Sequence, residues 1–282
     1  MAIVTVSSLS TSLSQSNYSI KRTNMILRFL WEDFVGYCIC YVFTIVASLY
    51  IDYEVTCIIF FQDFASCREI LLRRGEDFIK SMQESRRKIL RSSNNLIKDG
   101  MVILTHSRSR NVLAVMTEAA RQGRQFTVFV TESQPDCSGH RVADDLRAVG
   151  IPCTVILDAA VGYIMERVSA VMVGAEGVCE NGGILNKIGS CTLATLAHMK
   201  NKPVYVLVES YKFIRTIPLN NSSLPKIYLV IVLLTQTEKA LDLIREHPLV
   251  DYTPPENLTL LYTDLGVLPT SAITEHLIKL YT

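Results

Sequence analysis

The sequence predicts an α/β fold in which an N-terminal helical region precedes a Rossmann-like, doubly wound, mostly parallel sheet. Six short apolar runs recur along the second part of the chain, with helix-compatible stretches between most of them. The runs are continuous rather than alternating, which is typical of strands covered on both faces by helices. They are Met101–Thr105, Phe126–Thr131, Cys153–Leu157, Ala170–Val173, Val204–Val208 and Leu258–Tyr262.

Three regions are predicted along the 282 residues. Residues 1–24 are rich in Ser, Thr and Asn and predict a poorly ordered tail. Residues 25–98 are predicted to be a helical region, because apolar residues recur at helical spacing from Phe64 to Lys98 and indicate one or two amphipathic helices. Residues 99–282 are predicted to be the Rossmann-like domain.

An atypical apolar insert, residues 31–62, interrupts the helical region. Within it, Phe34–Ile51 is 18 residues long and carries no charge, which makes it a borderline transmembrane helix by length. A buried hairpin or helix is the competing interpretation, because the run is rich in β-branched and aromatic residues. A second run, Ile227–Leu234, is too short to span a bilayer. A membrane-anchored protein is thus an alternative, although membrane association is not expected.

Charge and cysteine usage narrow the function class. The formal net charge is +1, so no excess of positive charge favours nucleic acid as a partner. The basic stretch 68–91 fits either a solvated helix face or a surface for an acidic protein. The eight cysteines are scattered without a C-x-x-C pair or histidines at metal-ligand spacing. This pattern predicts reduced thiols in a cytosolic protein without a metal site.

Polar residues follow the predicted strands at the point where each strand ends. Because the carboxyl ends of parallel strands meet at one edge of a sheet, these side chains are expected to converge there. Any one of them alone is more typical of capping or turn chemistry. They lie in the segments 106–108, 132–136, 158–160, 176–183, 209–210 and 264–266.

The glycine-rich segment Gly174–Gly189 is the most distinctive stretch of the chain. It follows an apolar run and is expected to form a turn between a strand and a helix. Glycines let a backbone approach a ligand closely, a helix start offers free N–H groups, and Lys187 supplies a cation. The segment therefore predicts an anion site, with a purely structural turn as the alternative. It contains neither dinucleotide-binding nor Walker-type spacing.

This segment and several others carry a family resemblance that extends from about Cys67 to Thr282. The further stretches are Leu96–Gly100, Ile103–His106, Val130–Asp136, Val155–Tyr163, Asn201–Pro203 and Tyr262–Leu268. Together they resemble the family that joins the regulatory alpha, beta and delta subunits of translation initiation factor 2B to methylthioribose-1-phosphate isomerase and ribose-1,5-bisphosphate isomerase. The matches are with the alpha-subunit branch. The resemblance implies the same helical and Rossmann-like arrangement.

The resemblance also identifies where catalysis would occur. The isomerases share a Thr-His-Cys segment and a Gly-Ala-Asp segment, whose Cys and Asp form their proton-transfer pair. Here the matching residues are Ser107 and Glu176, and the enzymes' Arg before Pro is Gln134. A hydroxyl is far less acidic than a thiol, and Glu176 carries its carboxylate one methylene further out. A sugar-phosphate isomerase is therefore the disfavoured alternative, and no catalytic residue is predicted.

The resemblance implies instead a non-catalytic regulatory subunit of the guanine-nucleotide exchange factor for translation initiation factor 2. Such a subunit supports assembly of the complex and helps to sense phosphorylated initiation factor 2 alpha. The partners that it implies are a second copy of the chain, the beta and delta subunits, and initiation factor 2 alpha.

The isomerase substrate pocket is expected to survive as a regulatory site. No cofactor is predicted other than a sugar phosphate bound there as a regulatory ligand, with Asn186 and Lys187 matching positions that face the substrate phosphate in the enzymes. The candidate pocket residues are Ser107, Glu132, Asp158, Gly174, Glu176, Asn181, Asn186 and Lys187.

Overall fold

The computed structural model describes residues 64–218 and 249–281. Its helices are α1 (Phe64–Ser92), α2 (Arg110–Arg121), α3 (Ser138–Ala148), α4 (Val161–Ile164), α5 (Ser190–Met199) and α6 (Ile273–Tyr281). Its strands are β1 (Val102–Thr105), β2 (Thr127–Thr131), β3 (Cys153–Ile156), β4 (Ala170–Gly174), β5 (Gly177–Cys179), β6 (Ile184–Lys187), β7 (Val204–Leu207), β8 (Phe213–Ile214), β9 (Val250–Thr253), β10 (Leu260–Thr263) and β11 (Gly266–Leu268).

By contacts the chain divides into two compact units, residues 1–81 and 82–282, and α1 runs across this division. The tail 1–24, the apolar insert 31–62 and the run 227–234 lie outside the described residues. The predicted domain boundaries therefore stay predictions.

The main sheet confirms the predicted α/β class. Seven strands lie in the order β11-β10-β7-β4-β1-β2-β3, and all neighbours pair in parallel except β10 and β11. The first strand, β1, thus lies in the middle of the sheet. β2 and β3 follow on one side of it, and β4, β7, β10 and β11 lie on the other side. This is the doubly wound order of a Rossmann-like domain.

Helices cover the sheet on both faces, which is why its strands are continuous apolar runs. Every residue of β4 is buried. Val171 and Val173 of β4 pack with α4, α5 and α6 in one core, whereas Met172 packs with α1, α2 and α3 in the other. Successive side chains of a strand point to opposite faces, so one strand contributes to both cores.

The glycine-rich segment departs from the expected turn between a strand and a helix. Residues 177–179 and 184–187 form the antiparallel hairpin β5–β6, and α5 begins only at Ser190. The hairpin belongs to a second sheet of order β8-β5-β6-β9. Asn186 and Lys187, expected beside a helix start, therefore lie on a strand and pair with Asp251 and Val250 of β9.

A buried polar cluster holds the C-terminal half of α1 against the main sheet. The Ser85 hydroxyl donates to Asp264, and the Arg86 guanidinium lies 3.5 Å from Glu209. Lys212 lies 3.0 Å from the other oxygen of Glu209. Burial alone would raise the pKa of Glu209, but the ammonium of Lys212 and the guanidinium of Arg86 lower it to about 2. The carboxylate is thus ionised and paired.

Other sequence predictions concern thiols and membrane spans. The cysteines whose side chains the structure describes, Cys137, Cys153, Cys179 and Cys191, are in no disulfide. Burial raises the pKa of Cys179 to about 12, so this thiol is inert. Among the described helices, none combines the length and the apolar character needed to cross a bilayer.

Candidate functional site

The candidate site lies at the carboxyl ends of β1, β2 and β4. The chain leaves β1 toward β2 on one side of the sheet and later returns to β4 on the other side. Loops that leave neighbouring strands in opposite directions open a crevice between them, and ligands of doubly wound proteins bind in that crevice. The hairpin β5–β6 follows directly after β4 and brings Asn186 and Lys187 to this region.

His106, the first residue after β1, connects three of the elements around the crevice. Its Nε2 lies 2.8 Å from the carbonyl oxygen of Ile188, and its Nδ1 lies 2.6 Å from Thr131 Oγ1. A carbonyl only accepts, so Nε2 carries the proton and Nδ1 accepts from the threonine hydroxyl. Burial lowers the pKa of His106, which keeps the ring neutral. The imidazole therefore positions the loop after β6 and does not supply a positive charge.

Gly189 shows how closely the loop approaches this ring. Its φ is +101°, and a Cβ at this position would lie 3.0 Å from a carbon of the His106 ring. Any side chain would be strained there and would press on the imidazole. The glycine thus lets α5 start directly beside the candidate site.

Ser107 is the residue that the resemblance matches to the cysteine of the isomerases. It adopts a positive φ of 59° and donates its backbone N–H to Ser133 Oγ at 2.7 Å. Its own hydroxyl lies 3.4 Å from Ser138 Oγ. Within the described residues, neither an imidazole nor a carboxylate hydrogen-bonds to the Ser107 hydroxyl. The site therefore shows no base that would activate this oxygen.

Asp158 and Glu132, two of the predicted pocket carboxylates, differ in whether their side chains make hydrogen bonds. Asp158 accepts the backbone N–H groups of Ser133 and Gln134, at 2.9 and 2.8 Å, and so fixes the loop after β2. Glu132 joins its neighbours through its backbone N–H, which donates to Ile156. In the part of the chain that the structure describes, no hydrogen bond of the Glu132 carboxylate reaches the other pocket residues.

Lys187 is the buried cation of the site. Its Nζ lies 2.8 Å from Asp136 Oδ2, and the two side chains are 5% and 13% exposed. The other oxygen of Asp136 accepts the backbone N–H of Ser138 at 3.1 Å, at the start of α3. Asp136 therefore bridges the cation and a helix N-terminus, and the anion beside Lys187 in the structure is a side chain of the protein itself.

Asn186 and Asp251 form the opposite wall, from paired positions of β6 and β9. Asn186 donates to Ser190 Oγ at 2.9 Å, and Ser190 donates to the carbonyl oxygen of Lys187. Asp251 Oδ2 accepts the N–H groups of Gly189 and Cys191, at 2.8 and 3.0 Å, and caps α5. Burial raises the pKa of Asp251 to about 7, although these hydrogen bonds oppose the rise.

The remaining predicted pocket residues, Gly174, Glu176 and Asn181, lie in or beside the hairpin β5–β6. Gly174 ends β4 against Ser109, where a Cβ would lie 2.5 Å from the serine hydroxyl, so its role in the structure is close packing. Glu176 begins the hairpin and donates its backbone N–H to Leu185, one residue before Asn186. Asn181 lies in the hairpin turn, at the other end of β6 from Lys187, and donates to Tyr252 Oη at 2.7 Å.

The structure therefore brings Ser107, Asp158 and Lys187 into one network with residues that the pocket prediction omitted. Those residues are Asp136, Ser133 and Ser138. Asp136 and Ser133 follow a predicted strand, so their position is a signal that the sequence offered. Among the described residues, no group of three or more His, Cys, Asp or Glu side chains could hold a metal ion.

The protein-family match and two similar relatives of the chain agree on one family. Residues 55–270 match the Initiation factor 2 subunit family. The chain is 44% identical over 220 residues to the translation initiation factor eIF2B subunit alpha of Caenorhabditis elegans, covering 78% of this chain and 71% of that protein. It is 42% identical over 229 residues to the eIF2B subunit alpha of Dictyostelium discoideum, with the same coverage.

The chain is also similar to an enzyme and to a protein of known structure. The ribose 1,5-bisphosphate isomerase of Archaeoglobus fulgidus is 31% identical over 212 residues, covering 72% of this chain and 64% of the enzyme. The crystal structure of a Pyrococcus horikoshii translation initiation factor eIF-2B superposes with a TM-score of 0.60 at 33% identity. That match covers 72% of this chain and 70% of the other.

The buried carboxyl of Asp251 predicts a pH dependence of stability. An unfolded aspartate titrates near pH 3.9, whereas the folded pKa is about 7. The folded state thus binds the proton more tightly, so this contribution is fully present below about pH 4 and is lost as pH rises toward 7. In Asp251→Asn, an amide oxygen still caps α5 but no longer titrates. Its free energy of unfolding relative to wild type should rise by about 2–4 kcal/mol between pH 4 and pH 8.

Urea unfolding at both pH values measures this change. The control is Asp144→Asn, because the Asp144 side chain is 78% exposed and pairs only at the surface with Arg147. That variant should follow the wild type at both pH values. An Asp251→Asn protein that loses the same free energy at pH 4 and pH 8 would show that Asp251 is ionised throughout.

Proposed function

Since the chain belongs to the Initiation factor 2 subunit family, we propose that it is a non-catalytic regulatory subunit of the exchange factor for translation initiation factor 2. The observation that carries the proposal is the similarity to eIF2B alpha subunits over most of the chain. The isomerase relative is more distant. The subunit's role is to support assembly of the complex and to take part in sensing phosphorylated initiation factor 2 alpha.

The chemistry of the site supports a non-catalytic role. Proton transfer needs a base and an acid of matched pKa within hydrogen-bond reach of the reacting atoms. Ser107 replaces the thiol of the isomerases, and its described hydrogen bonds are with serines. The resemblance matches Glu176 to their aspartate. His106 is committed to Thr131 and Ile188 and cannot serve as a mobile base without breaking those bonds.

The proposed partners are those of an alpha subunit. They are a second copy of the chain, the beta and delta subunits of initiation factor 2B, and initiation factor 2 alpha, above all when phosphorylated. The support is the family similarity, which includes the complete main sheet. The proposed location is the cytosol, in agreement with the reduced state of Cys137, Cys153, Cys179 and Cys191.

A second proposal concerns the pocket, which we infer to be a regulatory site for a sugar phosphate. Its support is the Lys187 ammonium, which is almost fully buried at the crevice of a doubly wound sheet. A buried ammonium requires an anion beside it. Asn186 precedes Lys187 on β6, and its amide donates to Ser190 Oγ at the start of α5. The oxygen of the same amide can accept a hydrogen bond from a sugar hydroxyl.

The proposed assembly is tested by light scattering and co-purification. The full-length chain at micromolar concentration should have the mass of a dimer. Co-expressed with beta and delta subunits, it should elute with both. Ser107→Ala should assemble in the same way, since assembly does not use the pocket hydroxyl. A chain that remains monomeric and elutes separately from beta and delta would contradict the proposed function.

The proposed pocket is tested by thermal unfolding with millimolar ribose 5-phosphate, using ribose as the uncharged comparison. A ligand that binds only the folded state raises the melting temperature by mass action. The phosphate ester should raise it and ribose should not. Lys187→Ala should abolish the shift, because a charged hydrogen bond contributes about 1.5–3 kcal/mol.

The matched control for this test is Lys202→Ala. Lys202 follows α5 and donates to the carbonyl oxygen of Glu166, outside the candidate site. Its removal deletes the same charge and should leave the shift unchanged. Equal loss in both variants would mean that the effect reports overall charge and that Lys187 does not form a specific site.

A further inference from the structure

The partner of Lys187 is a carboxylate that resembles a bound phosphate. Asp136 presents one oxygen to the Lys187 ammonium at 2.8 Å and the other to the backbone N–H of Ser138 at 3.1 Å. An ammonium and an N–H in the first turn of a helix are two kinds of donor that hold phosphate groups in proteins. Asp136 thus occupies the position that an external anion would take.

A phosphate cannot simply be added to this arrangement. A phosphate ester carries one to two negative charges at neutral pH, and Asp136 would lie beside it with a like charge. In a largely buried site such charges repel strongly, because little water screens them. Any anion that binds Lys187 must therefore displace the carboxylate of Asp136.

The two partners lie on different kinds of backbone. Lys187 lies on β6, whose backbone pairs with β9, and its side chain is only 5% exposed. Asp136 lies in the loop between β2 and α3, and its side chain is more exposed at 13%. Rotation of the aspartate would place its carboxylate in water, where an ion is well solvated, whereas Lys187 has no comparable route.

We propose that Asp136 is an internal counter-ion that competes with ligands for Lys187 and sets the selectivity of the site. This inference rests on the proposed sugar-phosphate pocket. We call the Lys187–Asp136 ion pair the gate of that pocket, because a ligand must break the pair before it can bind Lys187. Only a ligand whose anionic group carries more negative charge than a carboxylate displaces Asp136. Neutral sugars and simple carboxylates leave the pair closed. Binding then releases the Asp136 side chain and the first turn of α3, which couples pocket occupancy to a change at the protein surface.

The test is the affinity of the full-length protein for inorganic phosphate, measured by titration calorimetry at pH 7.5 for wild type, Asp136→Asn and Asp144→Asn. Asparagine keeps an oxygen for the Ser138 N–H but removes the competing charge. Asp136→Asn should bind phosphate at least tenfold more tightly than wild type. Asp144→Asn deletes the same charge from an exposed position on α3 and should bind as wild type does.

A double variant separates competition from unrelated effects. In Asp136→Asn/Lys187→Met the gain should vanish, because the cation that Asp136 neutralises is absent. Asp136→Asn should also melt at a lower temperature than wild type without anion, and phosphate should recover the difference. If the single variant folds only in the presence of phosphate, that dependence supports the same conclusion. The double variant has no buried charge to satisfy and should not need the anion.

The results distinguish the gate from the pocket. If wild type binds phosphate through Lys187 and Asp136→Asn binds no more tightly, the gate is wrong and the pocket stands. If neither protein binds phosphate at millimolar concentration, the pocket is wrong and the gate falls with it. If Asp144→Asn gains as much affinity as Asp136→Asn, the effect is one of net charge and the gate is again refuted.

Discussion

The parallel pairing of β1 with β2 on one side and β4 on the other is the constraint on which the site depends. It directs the loops that follow these strands into one crevice, where His106, Asp136 and the hairpin β5–β6 meet. The His106 ring then links the loop after β6 to β2 by two hydrogen bonds. Without this pairing, Lys187 and Asp136, which are 51 residues apart in the chain, would not form an ion pair.

The charges around the crevice are balanced by the protein itself. Lys187 is matched by Asp136, Asp158 is used by two backbone N–H groups, and His106 is held neutral by burial. Such an arrangement fixes geometry but leaves no described group poised to transfer a proton from Ser107. The described residues therefore place an ion pair, and not a proton-transfer pair, beside Ser107.

The sequence predicted the main sheet well because its strands are encoded locally. Each of the six apolar runs coincides with a strand to within about two residues at either end. The hairpin β5–β6 was missed, since β6 is stabilised by β9, whose residues lie more than sixty positions further along the chain. A glycine-rich stretch gives no local sign of that pairing, so a turn before a helix was the simpler prediction.

The candidate site was predicted less completely than the sheet, because several of its contacts join residues that are far apart in the sequence. Lys187 and Asp158 were recognised from the resemblance and from their positions, and both are buried or bonded in the crevice network. Asp251 lies in a strand that the apolar pattern did not reveal, so its capping of α5 was not foreseen. Asn181 carries the same chemistry as Asn186, and only the hairpin geometry shows that it faces Tyr252 instead.

The chain is similar to a sugar-phosphate isomerase, and we propose that it does not catalyse the isomerisation. Incubation of the purified protein with ribose 1,5-bisphosphate or methylthioribose-1-phosphate, followed by NMR detection of the ketose product, tests this proposal most directly. No product above the protein-free background is expected, since the resemblance matches the proton-transfer pair of the isomerases to Ser107 and Glu176. Turnover that disappears in Ser107→Ala would contradict it and would identify the chain as an enzyme.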